Sequence, residues 1–161
     1  MLLYLFRHGP AQARTRCSDE RRALTAEGVK RTRQAARGLR SLGVAPQAIL
    51  TSPLLRAAQT AELACEVLDF PSERLQSCEV LCPERPPAQL LESLKGLGSQ
   101  SVLCVGHAPH LDLVLACALV ASSTRPITQL KKAGAACIEL HPGEDGRLRW
   151  LLEPNALRRL G

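Results

Sequence analysis

Arg7-His8-Gly9 follows directly on the apolar run Leu2-Leu3-Tyr4-Leu5-Phe6. A guanidinium presents a planar fork of donors that matches a phosphoryl group. An imidazole nitrogen can attack phosphorus, and Gly9 lets the backbone approach a ligand closely. Two later stretches carry related chemistry: Ser52-Pro53 precedes Arg56, and Gly106-His107 follows the run Ser101-Val102-Leu103-Cys104-Val105. Alone, Arg-His-Gly is ordinarily a strand end and a polar turn. Cations and imidazoles recurring at the ends of three apolar runs point instead to phosphoryl chemistry. Arg7 and Arg56 could grip one phosphoryl group. His8 could attack it in line, and His107 could donate a hydrogen bond to its oxygens as charge redistributes.

These residues need a scaffold that gathers three strand ends. Short apolar runs bounded by turn signals read as buried strands over residues 2–6, 48–51 and 101–105. Residues 75–81 form a third strand or an extended edge. Thr25 is a helix N-cap, with Val29, Ala35, Ala36, Leu39 and Leu42 as the apolar face and Gly43 as the stop. Ser52 and Pro53 fit the N-cap and first position of a helix reaching about residue 67. Further helices are expected over residues 88–97 and 111–121. Residues 134–140 and 147–152 flank the turn His141-Pro142-Gly143-Glu144-Asp145-Gly146, a hairpin pattern. Alternating strands and helices predict an α/β fold in three α/β/α layers. Its sheet is mostly parallel, with an antiparallel C-terminal addition. One domain over residues 1–161 is expected. In a parallel sheet the three chemical strand ends share one edge, where open α/β sheets place ligands.

Composition narrows the class. The 161 residues are 45% hydrophobic but only 2% aromatic, so Leu, Val, Ala and Cys must fill the core. Few aromatics argue against a base-stacking nucleic-acid surface, while a net charge of +6 favours anionic partners. Seven cysteines, Cys17, Cys65, Cys78, Cys82, Cys104, Cys117 and Cys137, lie mostly in apolar runs and read as reduced thiols of a cytoplasmic protein. Cys78, Cys82, His107 and His110 lack the spacing of a zinc module, so no metal is expected. No nucleotide-cofactor loop is present, and no cofactor is expected. The apolar start is too short for a signal-peptide core, and no run reaches membrane-span length. His110 reads as a rim or packing residue. Arg21, Arg22, Lys131 and Lys132 read as a solvated basic face.

Four stretches together resemble the histidine phosphatase superfamily, the phosphoglycerate-mutase-like fold. They are Leu5-Phe6-Arg7-His8-Gly9, Leu24-Thr25-Ala26-Glu27-Gly28, the run from Thr51-Ser52-Pro53 through Arg56 to Thr60, and Val105-Gly106-His107-Ala108-Pro109. The compact length is most similar to the small SixA-type phosphohistidine phosphatases. The resemblance implies that His8 is the phosphorylated nucleophile and that Arg7, Arg56 and His107 form the phosphate pocket, with Gly9 beside it. Many members carry a general-acid carboxylate on an inserted segment beyond the third strand. Here Glu79 is the nearest match and Glu84 the second. A weak or absent acid fits an imidazole leaving group, reference pKa about 6.5, better than a phenol at about 10. The expected substrate is a phosphorylated protein, with a small phosphomonoester as the alternative. A non-catalytic phosphoprotein-binding module is the reading from a different class. A monomer with no nucleic-acid or membrane partner is expected.

Overall fold

The computed structural model describes residues 1–13, 15 and 18–161; Arg14, Arg16 and Cys17 lie outside the described residues. Six strands form one sheet in the order β3-β2-β4-β1-β5-β6. They are β1 Leu2–Arg7, β2 Ala48–Thr51, β3 Gln76–Ser77, β4 Ser101–Gly106, β5 Ala135–Glu139 and β6 Arg147–Leu152. β1 lies inside the sheet, parallel to β4 with Arg7 opposite Gly106, and antiparallel to β5. β2 runs parallel to both β4 and β3. The mostly parallel sheet with a C-terminal antiparallel addition is therefore the observed architecture.

Alternation along the strands divides the core. Tyr4, Phe6, Leu103 and Val105 pack on one face with residues of α1 (Ala26–Ser41), α2 (Leu55–Val67) and α5 (Pro154–Leu160). Leu3, Leu5, Val102 and Cys104 pack on the other with α3 (Pro87–Lys95) and α4 (His110–Leu119). Both faces are covered, which is why these strands read as continuous apolar runs rather than alternating ones. Thr25 caps α1, its Oγ1 accepting from the Gly28 N–H at 2.9 Å. Beyond α1 the chain turns at Gly43, φ +75°, a conformation suited to glycine.

Three elements depart from the sequence expectation. Ser52 does not cap α2. Its N–H still pairs with the Val105 carbonyl at 3.0 Å, so the residue belongs to the sheet edge and the helix begins at Leu55. The third strand is only two residues long, because after Cys78 pairs with Thr51 the chain winds into a 3₁₀ turn at Glu79–Leu81 that buries Leu81. Finally, α5 carries too few residues to show a helical period. Its Leu157 is buried against α1, where a Cβ at Gly38 would lie 2.0 Å from the Leu157 carbonyl oxygen. Among the described residues no helix is long and apolar enough to cross a membrane.

The α1–α5 crossing should be sensitive to one methyl group. Gly38→Ala should lower unfolding free energy by about 1–3 kcal/mol through overpacking. Gly96→Ala, at a helix end with a negative φ and nearby space, should be neutral or slightly stabilising. Urea unfolding of both variants checks the contrast.

Candidate active site

His8 stands just past β1, its N–H bonded to the Gly106 carbonyl at 3.0 Å. Its ring Nδ1 lies 2.7 Å from the Gly9 carbonyl oxygen. A carbonyl only accepts, so Nδ1 carries the proton and Nε2 keeps its lone pair. Burial, then the charges of Arg56 and Arg7, outweigh that bond and hold the imidazole pKa down to about 3. His8 is therefore neutral, as a nucleophile must be.

His107 follows β4, its ring centroid 5.0 Å from that of His8. Burial, then His8 and Arg56, lower its pKa to about 3. Its Nε2 lies 2.9 Å from Ser52 Oγ. Arg56, in the first turn of α2, donates from NH1 to the Asp19 carbonyl at 2.6 Å and from NH2 to Asp19 Oδ2 at 2.9 Å. Asp19 Oδ1 accepts from Arg22 at 2.8 Å. Arg22 and then Arg56 pull the Asp19 carboxyl down to about 2, so it stays ionised between them. Arg7 donates from NH1 to the Leu130 carbonyl at 2.5 Å, and the Leu130 N–H donates to buried Asp112 Oδ1 at 2.7 Å. A carboxylate on α4 thus holds the loop that holds Arg7.

A cavity of about 420 Å³ brings Arg7, His8, Arg56 and His107 together. Asp19 and Arg22 share its wall, while Glu84 and Lys132 stand at its exposed margin. Among the described residues, Arg7 Nε, Arg56 Nε and His107 Nδ1 are buried and have no hydrogen-bond partner. Three such nitrogens around one cavity suit a multiply charged anion.

Other sequence candidates fall elsewhere. Glu79 is exposed and absent from the cavity lining, its Oε2 accepting from Cys82 Sγ at 3.6 Å. Glu84, the second candidate, is at the cavity. Gly9 does not line it either: its N–H donates to Thr60 Oγ1 at 3.1 Å, and an added Cβ would meet Thr32 Oγ1 at 2.0 Å. Its small size serves close packing on α1. Arg22 and Lys132, read as solvated charge, face the cavity. Asp19, Ser52 and Asp112 were not marked as site residues by the sequence pattern. Among the described residues no group of three or more His, Cys, Asp or Glu could hold a metal.

A model of the histidine phosphatase superfamily (branch 1) matches residues 3–78. Phosphohistidine phosphatase SixA of Escherichia coli (strain K12) is 32% identical over 165 residues, covering 98% of this chain and 97% of that protein. An uncharacterised protein of Picosynechococcus sp. (strain ATCC 27264 / PCC 7002 / PR-6) is 37% identical over 169 residues, covering 94% and 99%. The solved structure of the protein histidine phosphatase SixA complexed with tungstate superposes with a TM-score of 0.85 at 29% identity, covering 98% and 99%. The chain belongs to the histidine phosphatase superfamily, and its reaction class is that of a phosphatase hydrolase.

The buried neutral histidines have a measurable cost in acid. Their folded pKa values lie below the unfolded value of about 6.5, so the unfolded chain binds more protons between that pH and about 3. Their contribution to stability is present above pH 6.5 and is lost as pH falls toward 3, each fully engaged histidine giving a slope of up to about 1.4 kcal/mol per pH unit. Urea midpoints from pH 7 to pH 4 should fall less steeply in His8→Asn/His107→Asn than in the wild type.

Proposed function

We propose that this chain hydrolyses phosphohistidine on a protein partner through a phosphorylated His8. The observation that carries the reading is the commitment of His8 Nδ1 to the Gly9 carbonyl, which leaves Nε2 as a neutral nucleophile beside two buried guanidinium N–H groups, of Arg7 and Arg56, that have no partner among the described residues. The phosphohistidine and tungstate named for the SixA relatives support the same substrate chemistry.

In the first step the Nε2 lone pair attacks phosphorus and the substrate's P–N bond breaks. A substrate ring protonated on its other nitrogen departs as neutral imidazole, so it needs no placed acid. In the second step water attacks phosphorus, Nε2 recovers its electron pair, and the proton of the water passes to phosphate or solvent. Arg7 and Arg56 offset the phosphoryl charge, and Asp19 keeps the Arg56 fork oriented. Arg22 and Lys132 extend the positive margin toward an acidic protein surface. The six described cysteines are unpaired and four are buried, which suits a reducing, cytoplasmic setting.

Glu84 favours a second reading. A carboxylic acid at the cavity could protonate an alkoxide, the role first sought at Glu79, and so serve a small phosphomonoester. General acid catalysis supplies about 10²–10⁴-fold.

His8→Ala should abolish turnover while keeping the wild-type fold. Rapid quench of the wild type with labelled phosphohistidine protein should trap acid-labile, base-stable label on His8. Full activity in His8→Ala would reject the nucleophile. Separately, kcat/KM should be higher for phosphohistidine protein than for sugar phosphates. Glu84→Gln should reduce alkyl phosphate hydrolysis at least tenfold more than phosphohistidine hydrolysis, by the same general-acid reasoning. A hundredfold wild-type preference for a sugar phosphate, about 2.7 kcal/mol, would favour the phosphomonoester reading.

A further inference from the structure

We infer that Ser52 is a positioning residue that holds His107 as its Nδ1–H tautomer, aiming a neutral donor at the transferring phosphoryl group. The inference rests on the proposed phosphoryl site but concerns a proton that can be observed without turnover.

Ser52 is fully buried at the end of β2, its backbone N–H fixed to the Val105 carbonyl. Its hydroxyl has three neighbours. The Leu54 N–H donates to Oγ at 3.4 Å and therefore uses acceptor capacity only. Cys82 Sγ lies 4.0 Å away, and its thiol is directed to Glu79 Oε2 at 3.6 Å. His107 Nε2, at 2.9 Å, is the close acceptor available to the hydroxyl proton.

A neutral imidazole has one N–H. If Nε2 carried it and donated to Ser52, Nδ1 would offer a lone pair to an incoming anion, which is repulsive. With the Ser52 O–H donating to Nε2, the proton sits on Nδ1, a nitrogen that is buried and has no partner among the described residues. The burial that keeps His107 neutral makes this choice of tautomer matter. The Ser52 hydroxyl thus sets the sign of a contact it does not itself make. No proton is transferred: Ser52 keeps its hydrogen, and Nδ1–H strengthens its bond as charge develops on the phosphoryl oxygens.

The test is a long-range ¹H–¹⁵N spectrum of histidine-labelled full chain, with His107 assigned by its loss in His107→Asn. Wild type, with and without tungstate, should show a protonated Nδ1 and an unprotonated Nε2. Ser52→Ala should shift His107 toward the Nε2–H form and lower kcat by at least about tenfold, with a smaller change in KM, as loss of the correct tautomer does elsewhere. Ser52→Thr should recover the Nδ1–H signature. A wild-type His107 protonated on Nε2, or a Ser52→Ala chain that keeps Nδ1–H, would overturn the inference. The wild-type spectrum decides even if Ser52→Ala fails to fold. Failure of the His8 reading would appear separately, as absence of label on His8 with the tautomer unchanged.

Discussion

Confining two arginines and two imidazoles in one cavity is the constraint on which the rest of the site depends. Like charges close together in a poorly solvated space repel strongly. The protein resolves this by keeping both histidines neutral and by spending one carboxylate, Asp19, between Arg56 and Arg22. Lys132 also feels the arrangement: burial, then Arg7, Arg22 and Arg56, lower its pKa. The cavity is therefore positive, with donors that the protein itself does not fully satisfy. An anion would relieve the repulsion and complete the hydrogen bonding at once.

Rigid elements hold this arrangement from two sides. The parallel register brings the ends of β1, β2 and β4 to one edge, so His8, Ser52 and His107 come together by sheet geometry. The fork of Arg7 is set from farther away, through Leu130 to Asp112 on α4. Burial raises the Asp112 pKa, while the Leu130 N–H and Arg7 oppose that rise. A buried carboxylate is costly without compensating partners. Here the compensation also orders an otherwise irregular loop beside the cavity.

Arg7, His8, Arg56 and His107 were legible in the chain because each falls at or just after the end of an apolar run, and parallel pairing then makes them neighbours. Asp19 was not, since it sits in a polar segment with no period to betray its direction. Ser52 was read as a helix cap because Ser-Pro is a good helix start; the sheet kept it instead. Asp112 was hidden in an almost wholly apolar helix, where its partner is a backbone amide eighteen positions away. Of the two candidate acids, Glu84 rather than Glu79 lines the cavity, because the tight turn at Glu79–Leu81 and the following Cys82-Pro83 redirect the chain. Similarly, seven-residue α5 owes its docking to Gly38, whose packing role has no sequence signature of its own.

The central position of β1 also sets an order on how the protein can be made. This strand precedes the others, yet its partners are β4 and β5, and its end is clasped by the Arg7–Gly134 and Ala133–Arg7 backbone bonds. During synthesis an apolar strand with two unpaired edges must wait until residues 101–139 have left the ribosome. Such distant pairings close slowly and leave sticky edges open meanwhile. The anion pocket is consequently among the last features to assemble, and a growing chain that already contains Arg7 and His8 has no means to hold them in place.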